Sequence, residues 1–284
     1  MRVALCQIPV SSRPAVNLER VRSALARAAE QGADLAVFPE GTQARFGSDL
    51  AAAAEPLDGP FCSALSAAAK DAGVALVAGV FEPAPGGRVY NTAAAFDAAG
   101  DLVASYRKLH LFDAFGQRES QQVAPGSAPV LCTLAGIRAG LQICYDVRFA
   151  ELSRALAVAG ASLLLLPAAW GAGPLKEDHW VTLVRARAIE NTVWVAAAGQ
   201  VPDPDEPFTR APTGIGRSML VDPLGVARMD LGPGPAVAVG EIDAGLVASV
   251  RATLPSLANR RDDVFGPAAG RPAAGHAGSG DAVT

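Results

Sequence analysis

Three side chains of this sequence have the types needed to attack an activated carbonyl or nitrile carbon. Cys144 stands in "GLQICYDVRFAEL", Glu40 in "LAVFPEG" and Lys108 in "LVASYRKLH". Each follows an apolar run that reads as a strand, and strand ends present side chains rigidly into a crevice. A thiol is a strong nucleophile only as the thiolate, and a free pKa of about 8.5 leaves little of it at neutral pH. A carboxylate at Glu40 is suited to take the thiol proton and return it to a leaving amine. An ammonium at Lys108, aided by the backbone N–H of Tyr145, is suited to hold a developing oxyanion. Taken singly, each residue also has a plainer reading. Cysteine is among the most buried residue types, a Glu after a strand is a solvated loop residue or cap, and a Lys in "YRKLH" is a surface charge. Separations of 68 and 36 residues do not by themselves bring the three together.

The elements that must position them follow from hydrophobic period. Strands are expected at 2–8, 34–40 and 74–82, with helices at 15–31 and about 60–72, the second closed by Gly73. A hairpin follows, turning at Asp97–Gly100. The order then repeats, with strands at 137–144, 162–167 and 193–199, helices at 148–160 and 177–192, and a hairpin turning at Asp222–Gly225. Both turns place Asp first and Gly fourth, the type I pattern. Each half therefore reads β-α-β-α-β-β-β. The strand "SLLLLP" is apolar throughout and must be covered on both faces. Helices cover one face and the strands of the other half cover the second, which gives an α/β, four-layer α-β-β-α sandwich of two pseudo-twofold related halves. A single doubly wound sheet is the alternative that pattern alone leaves open.

Composition narrows the function. The chain has 284 residues, half of them hydrophobic and 18% charged, enough to bury a large core. Residues 1–266 read as one domain and the Gly-, Pro- and Ala-rich stretch 267–284 as a disordered tail. A net charge of −4 without a basic stripe argues against a nucleic-acid partner. The longest apolar stretch is about half of what a bilayer needs and is broken by Pro167, so no membrane association is expected. No secretory signal is visible, and four cysteines without C-x-x-C spacing fit a reducing cytoplasm better than a zinc site or disulfide framework. Cys6 and Cys132 read as core. Cys62 opens a helix whose dipole favours the thiolate, but no base accompanies it. G-x-S-x-G, Rossmann and P-loop patterns are absent.

"VFPEG", "YRKLHLFD" and "GLQICYDVRFAEL" together resemble the three signature segments of the nitrilase, or carbon–nitrogen hydrolase, superfamily, in the same order and spacing. The likeness continues through "HWVTLVRARAIENTVWVAAAGQ", "GRSMLVDPLGVA" and "LPSLANRRDDVF", covering roughly residues 2–265. The resemblance implies the four-layer sandwich, a Glu40–Lys108–Cys144 triad without metal or organic cofactor, and a thioester on Cys144. It implies a second glutamate after the lysine segment, which falls on Glu119, and a homodimer or higher homo-oligomer using the helix at 148–160. "CYDVRFAEL" and "HW…RARAIEN" are most similar to the amidase branch, which includes omega-amidases and deaminated glutathione amidases. A small aliphatic carboxamide is then the expected substrate. An N-carbamoyl compound or a nitrile handled by the same triad, and a family-shaped interaction protein without activity, are the alternatives. "LHLFDAFGQRES" departs from the omega-amidase pattern, which leaves the particular amide open. Arg148, Trp170 and His179 are candidate substrate contacts, with Arg118 a second candidate carboxylate clamp. For Arg148 an ion pair with Asp146 or another structural acid is the stronger expectation. The helix following Cys144 is expected to point its positive end at the thiolate.

Overall fold

A computed structural model describes residues 1–265, so the tail assigned to 267–284 lies outside the described residues. The chain opens with β1 (Arg2–Gln7), α1 (Pro14–Glu30), β2 (Leu35–Val37), the short α2 (Leu50–Ala53), α3 (Pro60–Ala72) and β3 (Ala75–Pro83). The antiparallel strands β4 (Val89–Phe96) and β5 (Leu102–Arg107) complete the first half. Two short pieces, β6 (Val123–Ala124) and β7 (Leu131–Leu134), lead to the second half. That half runs β8 (Ile137–Leu141), α4 (Ala150–Val158), β9 (Leu163–Ala168), α5 (Lys176–Asn191), β10 (Trp194–Gly199), β11 (Met219–Val221) and β12 (Ala227–Asp230). β13 (Ala236–Glu241), α6 (Ala244–Thr253) and α7 (Asp262–Phe265) close it.

The repeat read from the sequence is a repeat in space. One sheet has the order β13-β1-β2-β3-β4-β5 with β6 beside β4, and the other β12-β11-β10-β9-β8-β7. In each, three parallel strands continue into an antiparallel hairpin. Each first strand also gains an antiparallel neighbour that hydrophobic period did not single out as a sheet edge, β13 on β1 and β7 on β8. The hairpin turns match chemically. Gly100 N–H donates to the Asp97 carbonyl at 3.0 Å, and Gly225 N–H to the Asp222 carbonyl at 2.8 Å. Each Asp carboxylate accepts two further backbone N–H groups of its own turn.

Burial defines the layers. Val21, Ala24, Leu25 and Ala28 of α1 recur at helical spacing and pack with Phe61, Leu65 and Ala69 of α3 on the outer face of the first sheet. Pro14 and Pro60 stand in the first turns of these helices, where their missing N–H costs nothing, and Gly73 ends α3 at φ +63°. On the other side, Leu152 and Leu156 of α4 and Trp180, Val184 and Ala188 of α5 cover the second sheet. Between the sheets, Val3, Leu5, Leu35, Val37 and Val77 share one buried cluster with Ala139, Leu141, Val195 and Ala197. The single doubly wound sheet is thereby excluded, and the arrangement is an α-β-β-α sandwich. Among the described residues, no helix is long and apolar enough to cross a membrane.

Two boundaries differ from the periodicity reading near Cys144. β8 ends at Leu141, and a 3-10 turn, Cys144–Arg148, intervenes before α4 begins at Ala150. The helix expected at 148–160 therefore starts later, and its N-terminus is not adjacent to Cys144.

One glycine lets the two chain segments around Glu40 meet. A Cβ on Gly79 of β3 would stand 2.3 Å from the Gly41 nitrogen and 2.8 Å from the Glu40 Cα, both backbone atoms. The turn also bonds across this contact, Gly79 N–H to the Pro39 carbonyl and Gln43 N–H to the Gly79 carbonyl, each at 3.1 Å. Gly79→Ala must push the Glu40 turn off the strand, an overpacking change that costs about 1–3 kcal/mol. Urea denaturation should show a lowered midpoint with the slope retained, and an unchanged midpoint would mean that the turn moves freely.

Candidate active site

The ends of strands from both sheets converge on one cleft. Glu40 sits three residues past β2, Lys108 directly past β5 and Cys144 three past β8. Glu40, Lys108, Glu119, Cys144, Tyr145 and Trp170 all line the cleft, together with Phe46, Phe112, Arg118 and Lys176.

Its floor is a buried charge cluster. Lys108 Nζ donates to Glu40 Oε1 at 2.8 Å and to the two Glu119 oxygens at 3.1 and 2.9 Å. The Lys108 and Glu40 side chains are each 2% exposed and Glu119 is 7% exposed, so none is solvated in the ordinary way. Ions taken from water persist only with their lone pairs and protons matched. Asn91 of β4 contributes to that matching, its amide donating to Glu40 Oε1 at 2.8 Å and Glu119 Oε1 at 3.0 Å. Phe112 N–H bonds Glu119 Oε2 at 2.6 Å, and Ala169 N–H, just past β9, bonds Glu40 Oε2 at 2.9 Å. Glu40 is thus held from both sheets at once. Burial would lower the Lys108 pKa, but the charges of Glu119 and Glu40 override it and hold the ammonium well above its usual range.

The Cys144 thiol lies against this cluster. Burial raises its pKa well above the ordinary thiol value, and the charge of the Glu40 carboxylate raises it further. Lys108 and the Ala169 N–H oppose the rise without cancelling it. The resting sulfur is therefore a thiol next to a base.

The turn bearing Cys144 is strained and clamped. Cys144 has φ +45°, a left-handed conformation that costs a residue with a side chain about 1–3 kcal/mol. Buried Asp146 fixes it, accepting from Ile143 N–H at 2.8 Å, Tyr106 Oη–H at 2.7 Å and His110 N–H at 3.1 Å, with His110 Nδ1 at 2.8 Å. The expected Arg148–Asp146 ion pair is absent among the described residues, because Asp146 is already saturated by these donors. Tyr145 N–H makes no hydrogen bond to a described residue, and Tyr145 lines the cleft beside Cys144.

Of the three candidate substrate contacts, Trp170 lines the cleft while Arg148 and His179 stand outside its wall. Arg148 lies over the Trp170 ring at 4.7 Å, and its Nη2 is 3.5 Å from His179 Nδ1. Arg118 lines the cleft at an exposed position. The other thiols offer no second centre. Burial raises Cys62 to about 12, against the expected dipole effect, and Cys132 to about 11, and Cys6 is fully buried. Among the described residues, no group of three His, Cys, Asp or Glu side chains is placed to hold a metal ion.

Sequence reasoning missed Asn91, Asp146 and Lys176. The signal for Asn91 was a polar residue on the face of β4 that otherwise carries Ala93 and Ala95 into the inter-sheet core. For Lys176 it was a cation at the first position of a helix, where the macrodipole disfavours it.

Comparison with known proteins agrees with this geometry. The family model described as Carbon-nitrogen hydrolase matches residues 2–252. A Mycobacterium tuberculosis protein named as a hydrolase is 43% identical over 272 residues, 93% of this chain and 97% of that one. A deaminated glutathione amidase of Escherichia coli is 40% identical over 266 residues, 92% of this chain and 97% of that one. Among solved structures, a mutant of the amidase from Nesterenkonia sp. AN1 has the acetamide moiety of fluoroacetamide covalently added at its active-site cysteine. It superposes with a TM-score of 0.78 at 29% identity, covering 93% of this chain and 95% of that one. Sequence, relatives and fold agree: the chain belongs to the carbon–nitrogen hydrolase family.

Proposed function

We propose that this enzyme splits a small aliphatic carboxamide into a carboxylic acid and ammonia through a thioester on Cys144. The observation that carries the reading is the convergence of Cys144, Glu40 and Lys108 on one cleft, with Glu40 anchored by Lys108 and the Ala169 N–H. Glu40 takes the thiol proton as sulfur bonds to the carbonyl carbon, and the carbonyl electron pair moves onto oxygen. Lys108 and the free Tyr145 N–H stabilise that oxyanion, each such donor being worth roughly 10²–10³ in rate. Collapse of the adduct breaks the carbon–nitrogen bond, and nitrogen leaves as ammonia with the proton from Glu40. Water then adds to the thioester, Glu40 removes its proton, and the acid departs as sulfur regains a proton. Glu119 holds Lys108 in place and completes its neutralisation. The amidase-named relatives support an amide rather than a nitrile as substrate.

Cys144→Ala should lower ammonia release by on the order of 10⁴-fold or more. Cys144→Ser should be nearly as inactive, because an alkoxide is harder to form at neutral pH. Near-normal rates in either would remove the nucleophile.

Glu40→Gln separates the two effects of the carboxylate. As the base, its loss should collapse turnover. As a charge that raises the thiol, its loss should lower the Cys144 pKa, since Lys108 then acts unopposed by it. In the native protein, alkylation of Cys144 should therefore keep rising with pH past the range where a free thiol levels off. In Glu40→Gln the rise should end at lower pH, as followed by mass spectrometry of the Cys144 peptide. Identical pH profiles would show that Glu40 does not control the thiol.

A further inference from the structure

Lys176 is the one lining cation of the cleft whose burial has no visible compensation. It is 6% exposed, yet its ammonium has no carboxylate and no hydrogen-bond acceptor among the described residues. It rests among rings, Nζ lying 4.1 Å from the Phe115 centroid, 4.8 Å from Phe112 and 5.0 Å from Trp170. Cation–π contact offsets part of the cost of leaving water but does not replace a counter-ion.

The helix end, the backbone and Arg148 all make the position worse for a cation, and beyond the rings Cys144 alone favours it. Lys176 opens α5, at the positive end of the helix dipole. Leu175 before it is held at φ +57°, a strained backbone that delivers the side chain there. Arg148 approaches the same Trp170 ring and, like Lys176, has no acid partner among the described residues. Burial and Arg148 together lower the Lys176 pKa. The carboxylates in the cleft wall are not available to it, because Glu40 and Glu119 are both taken up by Lys108. Arg118 adds a third cation without an ion pair at the rim. Lys176 and Arg118 thus line the cleft of a protein of net charge −4 without an ion pair of their own among the described residues.

We propose that Lys176 is a specificity-determining residue that pairs with a carboxylate of the substrate, so that the enzyme selects anionic monoamides, molecules with an amide at one end and a carboxylate beyond it. Lys176, its ammonium set among Phe112, Phe115 and Trp170, lines the cavity that contains Cys144, and the substrate anion supplies the missing counter-charge. A charge-assisted hydrogen bond of this kind contributes a factor on the order of 10–100 in affinity. This inference rests on the amidase reading above for the chemistry at the other end of the substrate.

Binding is measured by calorimetry in a Cys144→Ala background, which holds amides without turning them over. The ligands are succinamate and glutaramate, each against its uncharged diamide, succinamide or glutaramide. At least one monoamide should bind tenfold or more tightly than its diamide. Adding Lys176→Met, which keeps the stem among the rings and removes the charge, should weaken the monoamide by on the order of 10–100-fold and the diamide far less. Lys176→Arg should restore part of the preference, which guards against a folding defect in the Met variant. Equal binding of every monoamide and its diamide, or equal loss of both in Lys176→Met, overturns the proposal. The enzyme with Cys144 intact is assayed in parallel for ammonia. Release from both ligand types at equal efficiency sinks the Lys176 assignment and leaves the amidase intact. Lys176-dependent binding without ammonia release from any amide sinks the amidase reading and leaves the anion site standing.

Discussion

The arrangement depends on an ammonium buried between two carboxylates. Lys108, Glu40 and Glu119 are nearly inaccessible to water, and each ion would cost several kcal/mol to bury unpaired. The cluster persists because every partner is supplied by a different part of the fold. Lys108 comes from the end of β5, Asn91 from β4, Glu40 from the turn past β2, and the Ala169 N–H from the end of β9 in the other sheet. Removing any one of them leaves a charged group without its bond in a low-dielectric site. The two sheets must therefore meet in one register, and Gly79 allows the Glu40 turn to reach it.

The same cluster sets the chemistry. Burial, and after it the negative charge of Glu40, outweigh Lys108 at Cys144 and keep the sulfur protonated. A low-pKa thiolate would need no base, but it would be intrinsically less nucleophilic than the thiolate of a high-pKa thiol formed as its proton leaves. In the reaction proposed above, the thiol stays neutral until a carbonyl carbon is in place, and Glu40 then receives its proton. The positive φ at Cys144 and the Asp146 clamp serve the same end. They hold the sulfur where Glu40 reaches it and leave the Tyr145 N–H unbonded.

Much of this was legible in the sequence, and the limits have physical causes. The β-α-β-α-β-β-β repeat showed because buried strands and one-faced helices carry distinct periods, and its matched Asp–Gly turns are local chemistry. β13 and β7 did not stand out because edge strands are half-exposed and carry a weak pattern. The helix start after Cys144 was misplaced because "YDVRF" is ordinary in helices. Asp146 diverts that stretch into a tight turn through partners as distant as Tyr106. Glu40, Lys108 and Cys144 were recognisable as types at strand ends, but their convergence is a non-local fact that only the family resemblance conveyed. Arg148 was paired with its sequence neighbour Asp146, and in space Asp146 belongs to Tyr106 and His110.

The two buried lysines of the cleft show how burial distinguishes roles. Lys108 has two counter-ions and an elevated pKa, so its charge is fixed and its position is determined by the protein alone. Lys176 has rings in place of counter-ions and a lowered pKa, so its charge is incompletely matched by the protein. A fully satisfied ion adds rigidity, while an unsatisfied one facing a cavity favours whatever anion enters. Were Lys176 only a packing element, a Met or Leu would fill the space among Phe112, Phe115 and Trp170 without desolvating a charge. The lysine is explained when its partner arrives from outside the chain.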